Sequence, residues 1–226
     1  MIGVARFRDR KEAGQLLAKE LSKYASCQNL MILALPRGGV PVGFKVAKAL
    51  NAPLDILVVR KLGVPGEEEL AMGAIASGGI RVLDGELIRS MGISDQEIES
   101  VSAKEQEELR RRELAYRGQA IPLRVNGMTA ILVDDGIATG STMKAAVAAL
   151  RQQCPSRLIV AVPTAPPSTC NELRGVADDV VALITPERFF SVGRWYTIFG
   201  QTSDEEVRQL YQRSNQPELQ NTMYEI

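Results

Sequence analysis

Apolar and polar segments alternate along this chain with the lengths of buried strands and helices. Continuous apolar runs of strand length lie at residues 30–35, 131–133, 158–162 and 180–184, and residues 54–59 are apolar except for Asp55. Such runs are typical of strands that are covered on both faces of a parallel sheet. Helices are predicted in the intervals, at residues 9–24, 40–50, 143–150, 168–173 and 203–211. The pattern predicts an α/β fold with an open, mostly parallel twisted sheet and helices on both faces.

Two stretches between residues 60 and 85 interrupt this alternation. Residues 62–69 contain glycines, a proline and three glutamates, which predicts a mobile, exposed loop that could close as a lid. Residues 72–83 have apolar segments on both sides of Ser77, Gly78 and Gly79, which predicts a hairpin.

A long charged helix is predicted after the hairpin. Ser94 and Glu97 form a capping box, and the helix runs on towards Arg117. The ion pairs expected four residues apart are Glu107–Arg111, Glu108–Arg112 and Glu113–Arg117. Because its apolar stripe is sparse, we expect a protruding arm with a solvated face. The chain is therefore predicted to be one domain, residues 1–226, with an inserted hairpin and helical arm at 72–117 and a loose tail after 212.

Composition excludes several classes of function. Lys+Arg and Asp+Glu each total 27, so there is no basic excess and nucleic acid is not the expected partner. No histidine is present, which rules out Ser-His catalysis and His-ligated metal sites. The three cysteines lack metal-ligand spacing and fit a reduced cytosol. Because every apolar run falls far short of the roughly 20 residues of a membrane span, we expect a cytoplasmic protein without a membrane partner.

The most informative segment is residues 131–142. Three apolar residues lead into two adjacent acids, Asp134 and Asp135 (the acid pair), and a Gly/Ser/Thr turn then precedes an alanine-rich helix. In a parallel sheet this order places two carboxylates at the carboxyl end of a strand, where ligands bind. The amides in the first turn of the next helix favour a phosphate. A sugar phosphate, with vicinal hydroxyls for the acids, suits both halves.

Residues 133–142 closely resemble the PRPP-binding motif of the type I phosphoribosyltransferases (PRPP is 5-phosphoribosyl 1-pyrophosphate). The resemblance continues in order along most of the chain. Residues 34–39 resemble the pyrophosphate loop of this family, and residues 59–61 resemble its basic pair ahead of a flexible loop. Overall the chain looks like the branch of predicted phosphoribosyltransferases whose acceptor is unassigned.

The resemblance implies a role for each motif. Asp134 and Asp135 would bind the ribose 2′ and 3′ hydroxyls, stabilise charge on the ring, and ligate Mg²⁺ directly or through water. The 5′-phosphate would be held by Ala138, Thr139, Gly140, Ser141 and Thr142. The pyrophosphate would be held by Arg37, Gly38, Gly39, Arg60 and Lys61, with Lys61 also acting in catalysis. The acceptor would lie under a variable hood, residues 189–199, where Phe190 and Trp195 are the candidate contacts.

Two positions depart from the family pattern. Ala138 stands where the 6-oxopurine enzymes have an aspartate that exchanges a proton with the base, so hypoxanthine and guanine are disfavoured and the adenine enzymes are more similar. Gly136 stands where the family usually has a bulky aliphatic residue.

The resemblance implies a Mg²⁺-dependent phosphoribosyltransferase that transfers 5-phosphoribosyl from PRPP to a nitrogenous base or similar small-molecule acceptor and releases pyrophosphate. The alternative is a PRPP-binding regulatory protein without catalysis. PRPP synthesis is disfavoured because the chain has no second copy of the domain. The charged arm and the resemblance together suggest a homodimer.

Overall fold

The computed structural model describes residues 6–118 and 123–215. Its strands are β1 (Leu30–Ala34), β2 (Leu54–Ile56), β3 (Val59–Val64), β4 (Glu67–Ala76), β5 (Ile80–Leu83), β6 (Thr129–Val133), β7 (Arg157–Thr164) and β8 (Asp179–Ile184). Its α-helices are α1 (Arg10–Glu20), α2 (Gly39–Leu50), α3 (Gly85–Met91), α4 (Asp95–Arg117), α5 (Ser141–Arg151), α6 (Pro167–Arg174) and α7 (Asp204–Asn215). Short 3-10 helices lie at Leu21–Tyr24 and Val192–Trp195.

Five strands form a parallel sheet in the order β2-β1-β6-β7-β8. Alternate residues of the central strand β6 pack on opposite faces. Ile131 and Val133 join the apolar cluster that includes residues of α1, α2 and α7, whereas Ala130 and Leu132 join the cluster that includes residues of α5 and α6. The predicted parallel sheet with helices on both faces is confirmed. Since Ala34 pairs with Val133, β1 and β6 end at the same edge.

The apolar run at residues 54–59 belongs to two strands rather than the single strand predicted. Strand β2 ends at Ile56 in the parallel sheet, and after Leu57 and Val58 the chain enters β3 of a separate antiparallel sheet, β3-β4-β5. Hydrophobicity alone cannot show this change of sheet, because Leu57 and Val58, which lie between the two strands, are themselves apolar and buried.

The prediction of a mobile loop at residues 62–69 is wrong. These residues complete β3, turn, and begin β4, with Val64 paired to Glu67 across the two-residue turn Pro65-Gly66. Gly66 has a φ of 83°, as the third residue of a type II turn requires. Leu62 is fully buried. Glycine and proline therefore mark a tight turn here, and the next hairpin, β4–β5, turns at residues 77–79 as predicted.

Helix α4 begins with the predicted capping box, in which both the Ser94 and Glu97 side chains bond to backbone N–H groups. It does not protrude as an arm, because its sparse apolar stripe is buried against the rest of the molecule: Ile98, Leu109 and Tyr116 belong to the main apolar cluster. Other residues of the helix, such as Glu99 and Arg110, are exposed, as the predicted solvated face requires. Its last residue, Arg117, is buried and ion-paired with Asp55 of β2 at 2.8 Å.

Two of the three predicted ion pairs along α4 form, Glu108–Arg112 and Glu113–Arg117. Arg111 pairs with Glu108 instead of Glu107.

Helix α7 starts with the Ser203 hydroxyl accepting a hydrogen bond from the Glu206 N–H, as expected of its capped start. The helix continues to Asn215, so residues 213–215 are not part of a loose tail, and the remainder of that predicted tail lies outside the described residues. Within 6–118 and 123–215, no helix is both long and apolar enough to cross a bilayer.

Candidate functional site

The acid pair lies where β6 ends. Both aspartates are half-buried, and the Asp135 N–H donates to Asp134 Oδ1 at 2.8 Å. Burial raises the pKa of the Asp134 carboxyl well above its usual value, and the charge of Asp135 raises it further. Burial also raises the pKa of Asp135, but a hydrogen bond from the Arg10 guanidinium opposes that rise. Two adjacent carboxylates in such a setting favour a ligand that brings hydroxyl donors or a cation.

The glycine loop, residues 36–39, follows β1 and lies directly against the acid pair. A Cβ atom on Gly38 would come within 2.0 Å of Asp135 Oδ2. A Cβ atom on Gly39 would come within 2.7 Å of the Val133 carbonyl oxygen and 2.9 Å of Asp134 Cα. The Pro36–Arg37 peptide bond is cis. The segments that follow β1 and β6 are therefore in close contact, and any side chain larger than that of glycine at position 38 or 39 would clash with the acid pair or its strand.

The phosphate loop, residues 138–142, joins the acid pair to α5. Gly140 has a φ of 76° and precedes α5, whose first turn receives no side-chain cap. The first-turn amides are therefore available to an anion. The hydroxyls of Thr139 and Ser141 lie 3.2 Å apart. From α6, Thr169 donates to the Ala138 carbonyl oxygen at 2.8 Å and braces the loop.

The three predicted cationic residues are held in different ways. Arg37 is half-exposed and lies 3.5 Å from Asp204 Oδ1 of α7. Arg60 is ion-paired with Glu105 of α4 at 2.5 Å. Lys61 lies on β3 and forms no ion pair among the described residues. Arg60 and Lys61 line a cleft of about 300 Å³ between the β3–β4 hairpin and α4, and the acid pair is not part of its lining.

The hood contains the aromatic cluster that the sequence indicates. Phe189 and Trp195 stack with ring centroids 6.2 Å apart, and Trp195 Nε1 is buried without a hydrogen-bond partner in the described part of the chain. Phe190 is 72% exposed, and Arg194 lies 4.7 Å above its ring. Phe190 is thus accessible to a ligand, whereas Trp195 already uses one face.

Three residues that contact this site could not be assigned to it from the sequence. Arg10 Nε donates to Asp135 Oδ2 at 2.7 Å, and the Tyr196 hydroxyl donates to the Asp135 carbonyl oxygen at 2.5 Å. Val192 of the hood fills the space beside Gly136, since a Cβ there would lie 2.5 Å from Val192 Cγ1. One signal could have found Arg10: it begins a helix, where the dipole disfavours a cation.

The fold and this site define a class of protein, and comparison with known sequences agrees. The profile described as the phosphoribosyl transferase domain matches residues 7–194. The chain belongs to this phosphoribosyl transferase family.

Individual relatives are similar over most of the chain. "Putative phosphoribosyl transferase Rv0571c" of Mycobacterium tuberculosis strain H37Rv is 46% identical over 201 residues, which cover 89% of this chain and 45% of that protein. "Putative phosphoribosyl transferase MT0597" of strain CDC 1551 matches to the same extent. The chain thus spans about half the length of these curated relatives, 45%. The crystal structure of TT1426 from Thermus thermophilus is 41% identical, with a TM-score of 0.82 over 92% of this chain and 98% of that one.

Proposed function

We propose that this chain binds PRPP and transfers its 5-phosphoribosyl group to a nitrogenous base or similar acceptor. In that reaction the bond between C1 of the ribose and the pyrophosphate oxygen breaks, and pyrophosphate leaves with the electron pair. A bond between C1 and the acceptor nitrogen forms, and a proton carried by that nitrogen passes to the pyrophosphate or to solvent. The site must therefore hold the sugar, receive the leaving group and exclude water.

The close packing of the glycine loop against the acid pair is the main observation that supports this proposal. Gly38 and Gly39 bring backbone within contact distance of two half-buried carboxylates at the edge where β1 and β6 end. A ligand bound there would meet acceptor oxygens for its hydroxyls from one strand end and the backbone of the glycine loop from the other. PRPP offers ribose hydroxyls and a pyrophosphate on adjacent carbons, which matches this pairing.

The phosphate loop supports the same ligand. Its uncapped first turn and the exposed residues 138, 139, 141 and 142 present amides and hydroxyls beyond the acid pair. Amides at a helix start favour an anion. In the proposal the 5′-phosphate binds to this loop while Asp134 and Asp135 hold the 2′ and 3′ hydroxyls.

Mg²⁺ fits the acid pair as an ion shared with the substrate. Mg²⁺ in proteins is commonly held by one or two carboxylates together with substrate phosphates and water. Among the described residues, no group of three or more His, Cys, Asp or Glu could hold a metal ion alone. Asp134 and Asp135 would hold the ion directly or through water. When bound, it would neutralise charge on the departing pyrophosphate.

The cations have separate parts in the proposal. Arg37, in the glycine loop, stabilises the pyrophosphate by charge, and Lys61 and Arg60 approach it from the β3–β4 hairpin. Arg60 must leave Glu105 to do so. The exchange costs little, because a partly exposed ion pair contributes about 1 kcal/mol or less.

The acceptor is assigned to the hood. The exposed Phe190 ring offers a face for stacking on a planar base, and Trp195 supplies an indole N–H that is buried without a partner in the described residues. A nitrogenous heterocycle could use both contacts. We expect Trp195→Ala to weaken acceptor binding while leaving PRPP binding unchanged, and equal acceptor affinity would remove Trp195 from this role.

A turnover assay tests the proposal. The protein is incubated with PRPP, Mg²⁺ and a panel of nitrogenous bases, and pyrophosphate release is followed. We expect release that depends on one acceptor and is lost in Asp135→Asn. Release that is independent of every acceptor, or unchanged in Asp135→Asn, would contradict it. In the proposal the protein is cytoplasmic and forms a homodimer. Analytical ultracentrifugation would measure the mass of that dimer.

A PRPP-binding regulatory protein is the second candidate. One observation favours it: Arg60, a residue expected to receive the leaving group, is ion-paired with Glu105. A regulator needs the ribose and phosphate contacts but no mobile leaving-group cations. Tight PRPP binding without turnover on any base would select this function.

A further inference from the structure

Arg10 occupies an unusual position for a cation. It is the first residue of α1, and its side chain is 13% exposed. The amino end of a helix favours anions, so the charge of Arg10 gains nothing from α1 itself. Its side chain instead makes all its described polar contacts with the acid pair and with the segment that follows the hood.

Three contacts converge on the one guanidinium group. Nε donates to Asp135 Oδ2 at 2.7 Å, and one terminal nitrogen donates to the Gly200 carbonyl oxygen at 2.6 Å. The guanidinium carbon lies 3.9 Å from the centroid of the Phe199 ring. A planar group with several fixed donors can make these contacts together, whereas an ammonium group cannot. Arg10 thus links the acid pair to the end of the hood.

Tyr196 provides a second link between the same two regions. Its hydroxyl donates to the Asp135 backbone oxygen, and its ring packs 5.0 Å from that of Phe199. The side chain and the main chain of Asp135 are therefore both fastened to residues 196–200.

The two carboxylate oxygens of Asp135 have different surroundings. Oδ2 accepts from Arg10 and lies where Gly38 has no room for a side chain. No described residue outside the acid pair donates a hydrogen bond to Oδ1, and within the pair the Asp134 carboxyl hydrogen-bonds to Asp135. A ribose hydroxyl that replaced this donor would meet an acceptor oxygen beside one that Arg10 already holds.

We propose that Arg10 is a positioning residue, which holds Asp135 by Oδ2 so that Oδ1 can accept a hydrogen bond from a ribose hydroxyl. Through Gly200 and Phe199, Arg10 also fixes the position of the hood relative to the bound sugar. The proposal rests on the proposed function in naming the ribose as the ligand. The link from Arg10 to the hood does not depend on any ligand. The opposite role is a guanidinium that competes with PRPP for Asp135, and the two roles predict opposite changes in affinity.

Hydrogen exchange in the protein without ligand tests the link. Arg10→Gln removes the charge and the several fixed donors of the guanidinium. Arg8→Gln is the matched control, because the Arg8 side chain is 65% exposed and, among the described residues, forms an ion pair only with the neighbouring Asp9. We expect faster amide exchange in both residues 134–138 and residues 196–200 for Arg10→Gln, and no change there for Arg8→Gln. Unchanged exchange in either segment of Arg10→Gln would overturn the link.

Calorimetric titration with PRPP and Mg²⁺ tests the positioning role. We expect the dissociation constant to rise on the order of tenfold to a hundredfold in Arg10→Gln, the scale of effect that misplacing a contact produces. Arg10→Lys should be intermediate, since it can hold Oδ2 but not Gly200 as well. Equal or tighter binding in Arg10→Gln would overturn the proposal and indicate competition.

The two measurements separate this inference from the proposed function. If the unsubstituted protein and Asp135→Asn bind PRPP equally or not at all, the proposed function fails and the ribose role of Arg10 fails with it. The exchange experiment still decides whether Arg10 fastens the hood to the acid pair.

Discussion

The carboxyl edge of the parallel sheet and the cleft beside α4 both carry charged residues but hold them differently. At the sheet edge, Gly38 packs against the Asp135 carboxylate so closely that no space is left for a methyl group. At the cleft, Arg60 is held by a single ion pair to Glu105 of a neighbouring helix. Close packing resists displacement, whereas partly exposed ion pairs exchange at small cost. The edge is therefore preorganised for a ligand, and the cleft can rearrange around one.

The largest effect should come from adding a methyl group at Gly38, where the glycine loop packs against the acid pair. We expect Gly38→Ala to reduce PRPP binding and turnover at least about a hundredfold, because its Cβ would overlap Asp135 Oδ2 and displace the carboxylate. Overpacking should also lower the free energy of unfolding by about 1–3 kcal/mol. Calorimetry and denaturant unfolding measure the two effects.

Gly85→Ala is the matched control, since the Gly85 Cβ would lie 3.5 Å from the end of the flexible Arg89 side chain. It should behave as the unsubstituted protein. Normal PRPP binding in Gly38→Ala would show that the edge is not preorganised.

Asp134→Asn should separate function from stability. Because burial raises the folded-state pKa of Asp134, the folded protein holds its proton more tightly than the unfolded chain. Stability therefore falls as pH rises from the unfolded pKa, about 3.9, through the raised folded pKa. The variant avoids this loss, so we expect its free energy of unfolding at pH 7 to exceed that of the unsubstituted protein, while turnover is lost.

Unfolding in a chelating buffer from pH 4 to pH 8 measures this difference, which should shrink towards the acid end. Glu97→Gln is the contrasting control, because hydrogen bonds from Ser94 lower the pKa of Glu97 and its removal should not stabilise the protein. A less stable Asp134→Asn at pH 7 would contradict the account of the acid pair.

The Arg60–Glu105 pair should affect function more than stability. Arg60→Gln should weaken PRPP binding several-fold, whereas Glu105→Gln, which releases Arg60, should preserve or strengthen it. Both should change the free energy of unfolding by about 1 kcal/mol or less, because the Arg60 side chain is 29% exposed. If both variants weakened PRPP binding equally, the pair would be structural and the cleft would be as fixed as the edge.

The smallest effect is expected at Glu108, on the exposed side of α4. Hydrogen bonds from Arg111 and Arg112 lower its pKa to about 2, so its stabilising contribution is present above the unfolded pKa and disappears as pH falls through about 2. Solvent screening limits that contribution, and we expect Glu108→Gln to cost less than about 0.5 kcal/mol at pH 7. Thermal unfolding at low and high salt would detect a larger, salt-independent loss if the helix depended on this pair.

The strand ends and the phosphate loop were predictable because their signals are local. An apolar run, two acids and a glycine turn before a helix determine where residues 131–142 lie in any parallel sheet. The hairpin at residues 62–69 was mispredicted because glycine and proline are common to loops and tight turns, and the pairing of Val59–Val64 with the next strand decides between them. Contacts of Asp135 with Arg10 and Tyr196 span 125 and 61 residues, and no periodicity reports such distances.

Positions 136 and 192 lie so close together that only one of them has room for a bulky side chain, and here that side chain belongs to Val192. A Cβ on Gly136 would lie 2.5 Å from Val192 Cγ1, so enlarging one residue requires shrinking the other. In an alignment of relatives, the two positions should therefore vary together, with a small residue at 192 wherever 136 is large. A hood taken from another family member would have to be transplanted with its own residue 136, because the turn that follows the acid pair and the hood share this packing.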